Sequence, residues 1–415
     1  NSHLQRGGLA GSINMELKKT SLQTSRHLSS AQWMDVSSLF SHQIDLWHLM
    51  ENYQLDDRGA EIFGGQQWQR QQVQQLGIRG HHQLFYSDHW IPSLGWTSRW
   101  EDSKTQNLLQ NEIEIQDNRL ISQLQIGSQF FFLADRLEEN SALQIYHFHT
   151  QEEDTLFLAP KTSILFRYSD QFLAWSSANR SFRPPTMLEL HGNQGSMIGN
   201  PDLQPETAHT FDTGILWKRN EHMSIQSSYF HRWGQDSIIL IQNAQKQSIP
   251  KNFTKIRVQG IEQVLNFRPN DWLAWTLGLT WTHSQNLSNI EVQHKKKLPN
   301  VPIWNLENQI KVEQKYVSLQ YNWSFTDQNY TDATNYYLSP SRSIHNIEFA
   351  SKLKNPFPEF SFTIRNLTNS ITEETLLEPR QPNLGTRSQA ISDFIGYPLS
   401  GRQIFFTATW NAKKL

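Results

Sequence analysis

Three absences narrow what this sequence can be. The 415 residues contain no cysteine, which excludes a disulfide framework, a thiolate metal site and a cysteine nucleophile. No apolar run approaches the roughly 20 residues that a transmembrane helix needs, so a helical membrane protein is excluded. Charge of one sign is not in excess either. The 37 Lys and Arg residues face 39 Asp and Glu residues, and a net charge of −2 excludes a generally basic nucleic-acid binder.

What the sequence does have is many aromatic residues and a period-two alternation. It contains 15 Trp, 23 Phe and 11 Tyr. Apolar residues alternate with small or polar ones from Trp275 to Trp281, from Val317 to Phe325 and from Ile404 to Trp410. A soluble β-sandwich also alternates, but Trp and Tyr near the segment ends favour a wall between lipid and water. The sequence therefore predicts an all-β fold, a large antiparallel transmembrane β-barrel.

The predicted connections between strands alternate in length. Short turns are predicted at Asp117–Arg119, Ser169–Gln171, Arg219–His222, Pro269–Asp271, Glu313–Lys315 and Asn355–Glu359. Long loops are predicted at Ala134–Leu158, Arg183–His209, Gly234–Asn252, Ser284–Pro302, Thr326–Ser343 and Thr368–Gly401. Short turns at one rim and long loops at the other are typical of outer-membrane barrels. We place about 18 to 20 strands, and the nearest size class is a plugged barrel of about 22 strands, possibly incomplete at the N-terminus. The glutamine-rich stretch Gln66–Gln75 is expected to be a loop that leads into a strand at Leu76–Tyr86.

Four segments carry a family resemblance. They are an F-R-x-P box at Phe182–Pro185 with an N-P-x-L-x-P-E box at Asn200–Glu206, then Arg257–Glu262, Ile364–Asn369 and Gly396–Trp410. In order and spacing the chain resembles the TonB-dependent outer-membrane receptors over roughly Gly7–Trp410. The residues that match the family motifs are Phe182, Arg183, Pro184, Pro185, Asn200, Pro201, Leu203, Pro205, Glu206, Asn366, Leu367, Asn369, Gly401, Arg402 and Trp410.

The N-terminal stretch Gly7–Lys19 is similar to the segment that ends the plug domain in this family. The resemblance implies a plug remnant at residues 1–20 and a barrel with long extracellular loops at 21–415; the alternative is a Gly-rich turn into an ordinary first strand. Two features depart from the family. The first box has a second proline where an alanine is more common, and the tail Asn411–Leu415 follows Trp410, where the family usually ends on an aromatic residue.

The loop between the two boxes is the predicted ligand-binding segment. Pro184 and Pro185 fix φ and remove two backbone donors, so a strand must end there, and long structured loops on rigid scaffolds usually carry binding. The candidate ligand-binding residues in this loop are Arg183, His191, Asn193, Gln194, Asn200 and Asp202. Arg183 either neutralises an anionic ligand or pairs with Glu189 or Glu206. His191 either ligates haem iron, as a histidine between these boxes does in haem receptors, or replaces the tyrosine of the family's more general E-L-Y-G sequence.

The resemblance implies an outer-membrane receptor for TonB-energised uptake of a scarce nutrient. A ferric siderophore or cobalamin is the expected substrate, and haem is the alternative. A passive porin-like channel, a surface adhesin or phage receptor and an outer-membrane enzyme remain alternatives. The expected partners are the TonB complex, acting through the plug region, a small metal chelate, and membrane lipid and lipopolysaccharide. We expect a monomer without a cofactor, a resident metal or a nucleic-acid partner. No G-x-S-x-G, H-E-x-x-H or phosphate-loop signature is present, so we expect no enzymatic activity. His147 and His149 share a strand face, but two histidines in a watery loop are usually just solvated.

Overall fold

The computed structural model describes residues 2–8, 19–61, 65–150, 154–193, 197–242, 247–351, 358–376, 381–390 and 400–410. These residues form an almost entirely β structure with one short α-helix, α1 (Met187–His191), and one 3₁₀ turn at Pro382–Leu384. The strands are β1 (Ser2–Gly8), β2 (Ser21–Val36), β3 (Phe40–Asp57), β4 (Gln67–Leu84), β5 (Trp90–Asn107), β6 (Glu112–Phe132), β7 (Leu137–His149), β8 (Asp154–Ser169), β9 (Phe172–Arg183), β10 (Glu206–Asn220), β11 (Met223–Gln242), β12 (Ser248–Asn270), β13 (Leu273–Asn286), β14 (Trp304–Glu313), β15 (Val317–Thr326), β16 (Asn329–Tyr330), β17 (Leu338–Ser339), β18 (Arg342–Ser351), β19 (Glu359–Arg365), β20 (Thr372–Leu376), β21 (Thr386–Ala390) and β22 (Gln403–Thr409). In the described part of the chain, no helix is long and apolar enough to cross a membrane.

Eighteen of these strands form one antiparallel sheet within the described residues. Each strand pairs with the one before it from β2 to β15, and the sheet continues through β18 and β19 to β22. The pairs β16–β17 and β20–β21 are separate small hairpins inside long loops. The predicted all-β antiparallel fold is confirmed. The described sheet has fewer strands than the predicted size class of about 22. Its 18 strands agree with the 18 to 20 strands predicted from the sequence pattern.

The two faces of the sheet differ in polarity. On β5, Leu94 and Trp100 are 43% and 41% exposed, whereas Glu101, Ser103 and Thr105 on the opposite face are buried. An apolar side chain left exposed on a long sheet is stable where the solvent is lipid, and the polar face then lines the inside. The alternation that predicted a barrel therefore gives each strand one lipid-facing and one inward-facing row.

Several predicted connections are strands. The turn expected at Asp117–Arg119 lies inside β6, the loop expected at Ala134–Leu158 contains β7, and most of Gln66–Gln75 belongs to β4. Much of Gly234–Asn252 likewise belongs to β11 and β12. Polar residues suggested turns there, but the inward-facing ones, such as Gln71 and Arg119, bond to side chains of the neighbouring strand, and the ladder continues. The real turn between β6 and β7 is at 133–136, where three consecutive non-glycine residues have positive φ.

Where both flanking strands are described, the long connections from β9 onward leave from one edge of the sheet. Turns at 170–171, 221–222, 271–272 and 314–316 join strands at one edge, and the excursions 184–205, 287–303, 327–341 and 366–402 leave from the other. The predicted segregation of loop lengths thus holds from β8 onward for these connections, whereas the loop predicted at Gly234–Asn252 is reduced to 243–247. Most of the turn predicted at Asn355–Glu359 lies outside the described residues. The first long excursion contains the predicted ligand-binding segment.

Candidate functional site

The loop from Pro184 to Pro205 begins with a capped helical turn. Thr186 is the N-cap of α1: its hydroxyl accepts from the Glu189 N–H at 3.1 Å, and the Glu189 carboxylate accepts from the Thr186 N–H at 2.7 Å. This reciprocal capping box satisfies two donors that a helix start leaves open. The loop then returns on itself, because Gly199 N–H donates to Gly192 O at 2.7 Å and Asn200 N–H to Glu189 O at 2.7 Å.

The helical turn is held against the inward faces of β4, β5 and β6. Arg119 donates to the Pro185 carbonyl at 2.6 Å and pairs with Glu101 at 2.5 Å, and both charged side chains are buried, at 3% and 2% exposure. Gln71 donates to the Met187 carbonyl at 3.2 Å, and Met187 is itself buried. A buried pair that loses one member leaves an uncompensated charge, which costs about 3–5 kcal/mol. The start of the loop is therefore fixed to the wall.

His191 and Asn193 extend this contact along the same wall. His191 Nε2 lies 2.9 Å from an Asp117 carboxylate oxygen, and its side chain is only 9% exposed. Asn193 donates to the side-chain carbonyls of Gln67 and Gln69 at 2.9 and 3.0 Å. Both predicted ligand residues therefore hold the loop to β4 and β6. Gln194, the neighbouring candidate, lies outside the described residues.

Arg183 joins the two sequence boxes. Its guanidinium pairs with Glu189 at 2.9 Å and with Glu206 at 2.9 Å, so the arginine of the first box meets the glutamate of the second. Glu206 also accepts from the Ile238 N–H at 2.8 Å and lies 3.4 Å from Arg232. Burial alone would raise the pKa of Glu189, but hydrogen bonds from Arg183 and Thr186 outweigh it and hold that pKa below its ordinary value. Of the two predicted roles of Arg183, the structure shows the pairing role.

The second box docks on β12. The Asn200 side chain donates to the Pro250 carbonyl at 3.0 Å and accepts from the Asp202 N–H at 3.1 Å. Gln204 and Asn252 exchange two hydrogen bonds of 2.9 Å, and Leu203 is buried. Asn200 therefore fixes the return path of the loop, and Asp202 contributes a backbone N–H to that turn.

Comparison with known proteins fits this geometry. The model of the family "TonB dependent receptor-like, beta-barrel" matches residues 4–367. The chain belongs to this family. Its barrel is accordingly an outer-membrane protein of Gram-negative bacteria. No curated protein matches the sequence significantly.

Solved receptors and transporters share the fold of this TonB-dependent receptor barrel. The FrpB iron transporter from Neisseria meningitidis (F5-1 variant) has 11% identity and a TM-score of 0.74, covering 99% of this chain and 69% of that one. The copper transporter OprC has 12% identity and a TM-score of 0.71, with 95% and 66% covered. A mutant of the ferric enterobactin receptor PfeA from Pseudomonas aeruginosa has 13% identity and a TM-score of 0.70, with 99% and 66% covered. The receptor barrel thus spans about two thirds of these chains, and at such identities the likeness shows the fold alone.

The other family motifs of this receptor barrel hold a second loop base together. The Asn366 side chain bonds to the backbone of Ser370 in both directions at 2.7 and 2.9 Å, and Asn369 accepts from the Arg402 N–H at 2.8 Å. A Cβ added at Gly401 would lie 2.6 Å from an Ile371 methyl group, so a side chain does not fit there. Leu367 and Trp410 are exposed on the barrel, at 37% and 70%. Residues 391–399 of the closing segment and the tail 411–415 lie outside the described part.

Sequence reasoning missed the wall side of the site. Gln71, Glu101, Asp117 and Arg119 hold the loop, yet they precede it by roughly 70 to 120 positions in the chain and look like ordinary polar residues of alternating strands. The one signal in the sequence is the polar run Asp117–Arg119, which predicted a turn and instead lies inside β6. Among the described residues no group of three His, Asp or Glu side chains is arranged to hold a metal; His147 instead meets the Asp154 carboxylate at 2.5 Å.

Proposed function

We propose that this barrel belongs to a receptor that takes up a scarce nutrient through TonB-coupled transport, with a ferric siderophore or cobalamin as the substrate. Family membership carries the proposal. Structures of similar fold are described as an iron transporter, a ferric enterobactin receptor and a copper transporter, which supports a metal or metal chelate as cargo. The plug remnant at residues 1–20, the TonB complex as partner, the monomeric state and the absence of enzymatic activity belong to the same proposal. Within the described residues of that N-terminal stretch, β1 pairs with β2 in the sheet.

The loop 184–205 is the proposed extracellular binding element. Its ends are joined by the Arg183–Glu206 pair, and its helical turn is fixed by Arg119, so it presents a pre-shaped surface. A preorganised loop loses less conformational entropy when a ligand binds. The candidate residues Arg183, His191, Asn193, Asn200 and Asp202 then act by shaping this loop, and direct contact with ligand remains a prediction for each.

Uptake by cells that carry the whole receptor tests the proposal. We expect ⁵⁵Fe-siderophore or radiolabelled cobalamin to accumulate in a receptor-dependent manner and a protonophore to abolish accumulation, because TonB coupling uses the proton gradient of the inner membrane. Accumulation that persists with the protonophore would support the passive channel, as would a large steady conductance of the whole receptor in planar bilayers. Binding without accumulation would support an adhesin or phage receptor.

Haem is the second candidate, and His191 decides it. In the structure Nε2 of His191 faces Asp117 at 2.9 Å, so iron ligation through Nε2 would break this contact, and the other ring nitrogen, Nδ1, is buried. We therefore place haem behind a siderophore or cobalamin. A Soret shift of the whole receptor that is lost in His191→Ala, with the barrel still folded, would reverse this order.

A further inference from the structure

The barrel wall has a step between β8 and β9. The two strands pair from Ser169↔Phe172 to Lys161↔Asn179, and beyond that point β8 pairs only with β7 and β9 only with β10 in the described registers. The side chain of Phe182, near the end of β9, then packs on Phe157 of β8, with ring centroids 4.9 Å apart.

The side-chain parity shows how the two strands overlap. Side chains alternate between the two faces of a strand, so Phe182 lies on the same face of β9 as Ala178. Ala178 is paired with Phe211 of β10, which faces outward. Phe157 of β8, in contrast, is a buried residue of the inward row. The outward face of β9 therefore covers the inward face of β8, and the end of β9 passes inside the wall. Such an overlap leaves a groove on the membrane side and a second pocket on the inner side.

The groove on the membrane side is mostly apolar and has a volume of about 800 Å³. Its apolar lining includes Ile126, Leu143, Pro160, Phe211 and Trp233. A polar pocket of about 470 Å³ lies on the inner side of the same step, and both spaces share Lys161 and Arg180. The step thus joins a space suited to hydrocarbon with two cationic side chains.

Neither cation is neutralised within the described part of the chain. Arg180 donates to the Leu158 carbonyl at 3.3 Å and stacks over the Phe157 ring at 4.1 Å, and its buried Nε–H has no partner there. Lys161 donates to the Gln125 side-chain carbonyl at 3.3 Å. The carboxylate of Glu139, one strand away, accepts from the hydroxyl groups of Ser141 and Thr162. A partly buried guanidinium with a free donor favours an anionic group.

The height of the step along the barrel indicates which leaflet of the outer membrane it faces. Arg180 is nine residues beyond the short turn at 170–171. At a rise of roughly 3.3 Å per residue and a strand tilt of about 40°, this is roughly 23 Å from the short-turn edge. The apolar band of such barrels is about 25 Å tall. Counted from the short-turn edge, this band ends close to the height of Arg180, on the long-loop side.

From these observations we infer that the β8–β9 step is a binding site for a phosphate-bearing lipid of the outer leaflet, of the lipopolysaccharide class. An acyl chain fills the groove along Leu143, Pro160 and Phe211, and a phosphate pairs with Arg180 and Lys161. The bound lipid seals the step in the wall. This inference uses the outer-membrane location and not the identity of the transported nutrient.

Co-purification of lipid tests the inference. The whole receptor is extracted in non-ionic detergent, separated from free lipid by gel filtration, and its bound lipid A is quantified by mass spectrometry. We expect Arg180→Gln to retain about tenfold less lipid than wild type, since a charge-assisted contact is lost. Leu143→Trp, which fills the groove, should lose lipid similarly.

Leu319→Trp is the matched control, because Leu319 is a lipid-facing leucine of β15 with 40% exposure, close to the 38% of Leu143. It should retain lipid like wild type, and the gel shift on boiling should show that each variant is folded. If Arg180→Gln fails to fold, the two Trp variants still decide the question. Equal retention in Leu143→Trp and Leu319→Trp would overturn the inference.

A second arm tests the headgroup. Delipidated wild-type receptor should bind bisphosphorylated lipid A and not its dephosphorylated form. Equal binding of the two forms, or equal binding of phosphatidylglycerol vesicles, would overturn the assignment to a lipopolysaccharide phosphate.

Discussion

The ion pair between Glu101 and Arg119 should control whether the predicted binding loop stays on the barrel wall. Replacing Glu101 with Gln leaves Arg119 buried without its carboxylate, while Arg119 still makes its 2.6 Å hydrogen bond to Pro185. Breaking a buried pair from one side costs about 3–5 kcal/mol. The barrel sheet itself remains paired, so most of this cost should appear as easier release of the loop.

Hydrogen exchange measures that release. The amides of Gly192, Gly199 and Asn200 bond only within the loop, to Leu188, Gly192 and Glu189. A cost of 3 kcal/mol corresponds to about 150-fold faster exchange when opening is local. We therefore expect these amides to exchange at least about 100-fold faster in Glu101→Gln, with unchanged protection of the β10–β11 ladder.

Two variants make this prediction refutable. Glu262→Gln removes an exposed carboxylate from β12 and should leave loop exchange unchanged. The double variant Glu101→Gln with Arg119→Gln removes both members of the buried pair and should exchange more slowly than Glu101→Gln alone, because no buried charge is left without its partner. Arg99, the other partner of Glu101, is 35% exposed and loses its carboxylate equally in both variants. Unchanged exchange in folded Glu101→Gln would show that the pair does not hold the loop.

Three further predictions rest on other contacts of the same barrel. His191→Ala in the whole receptor should weaken ligand binding by no more than about 1–2 kcal/mol in isothermal titration. The reason is that His191 is proposed to shape the loop and not to ligate iron; abolished binding would contradict this. The carboxylate of Glu189 has a folded pKa below its ordinary 4.5. Its stabilisation of the loop is therefore complete above pH 4.5 and is lost as pH falls through the lower folded pKa; loop exchange should rise there in wild type, with no such step in Glu189→Gln. Gly214→Ala should lower the thermal stability of the barrel by about 1–3 kcal/mol, since its Cβ would lie 2.3 Å from the Trp175 ring. Gly95→Ala, whose Cβ would have no neighbour closer than 3.5 Å, is its control, and equal melting of the two variants would disprove the clash.

The sequence was a good guide to the sheet where alternation was uninterrupted. From Val317 to Phe325 the apolar row predicted one face of β15, and that row lies outward in the structure. It misled at Asp117–Arg119, because consecutive polar residues indicate a turn unless something satisfies them inside the barrel. Here Asp117 meets His191 and Arg119 meets Glu101, contacts that depend on chain segments far away in sequence.

The sequence predicted a structured loop between the two boxes but not the contacts that hold it. The prolines after Arg183 predicted the end of a strand and a structured loop, and the structure contains one. Which side chains face a ligand depends on where the loop folds, and that is set by Gln71 and Arg119 on the inward faces of β4 and β6. Local sequence patterns carry no information about such long-range contacts.

The two boxes that identify the family have a structural explanation independent of any ligand. Arg183 of the first box and Glu206 of the second are directly paired across β9 and β10, and Phe182 anchors the strand end among aromatic rings. Such a pair closes the base of a loop of some twenty residues, and the entropy of closing a loop grows only slowly with its length. The same base can therefore carry loops of very different length and composition. A match to the boxes accordingly identifies the scaffold, and the residues between Thr186 and Gly199 are where receptors that share this base can differ in ligand.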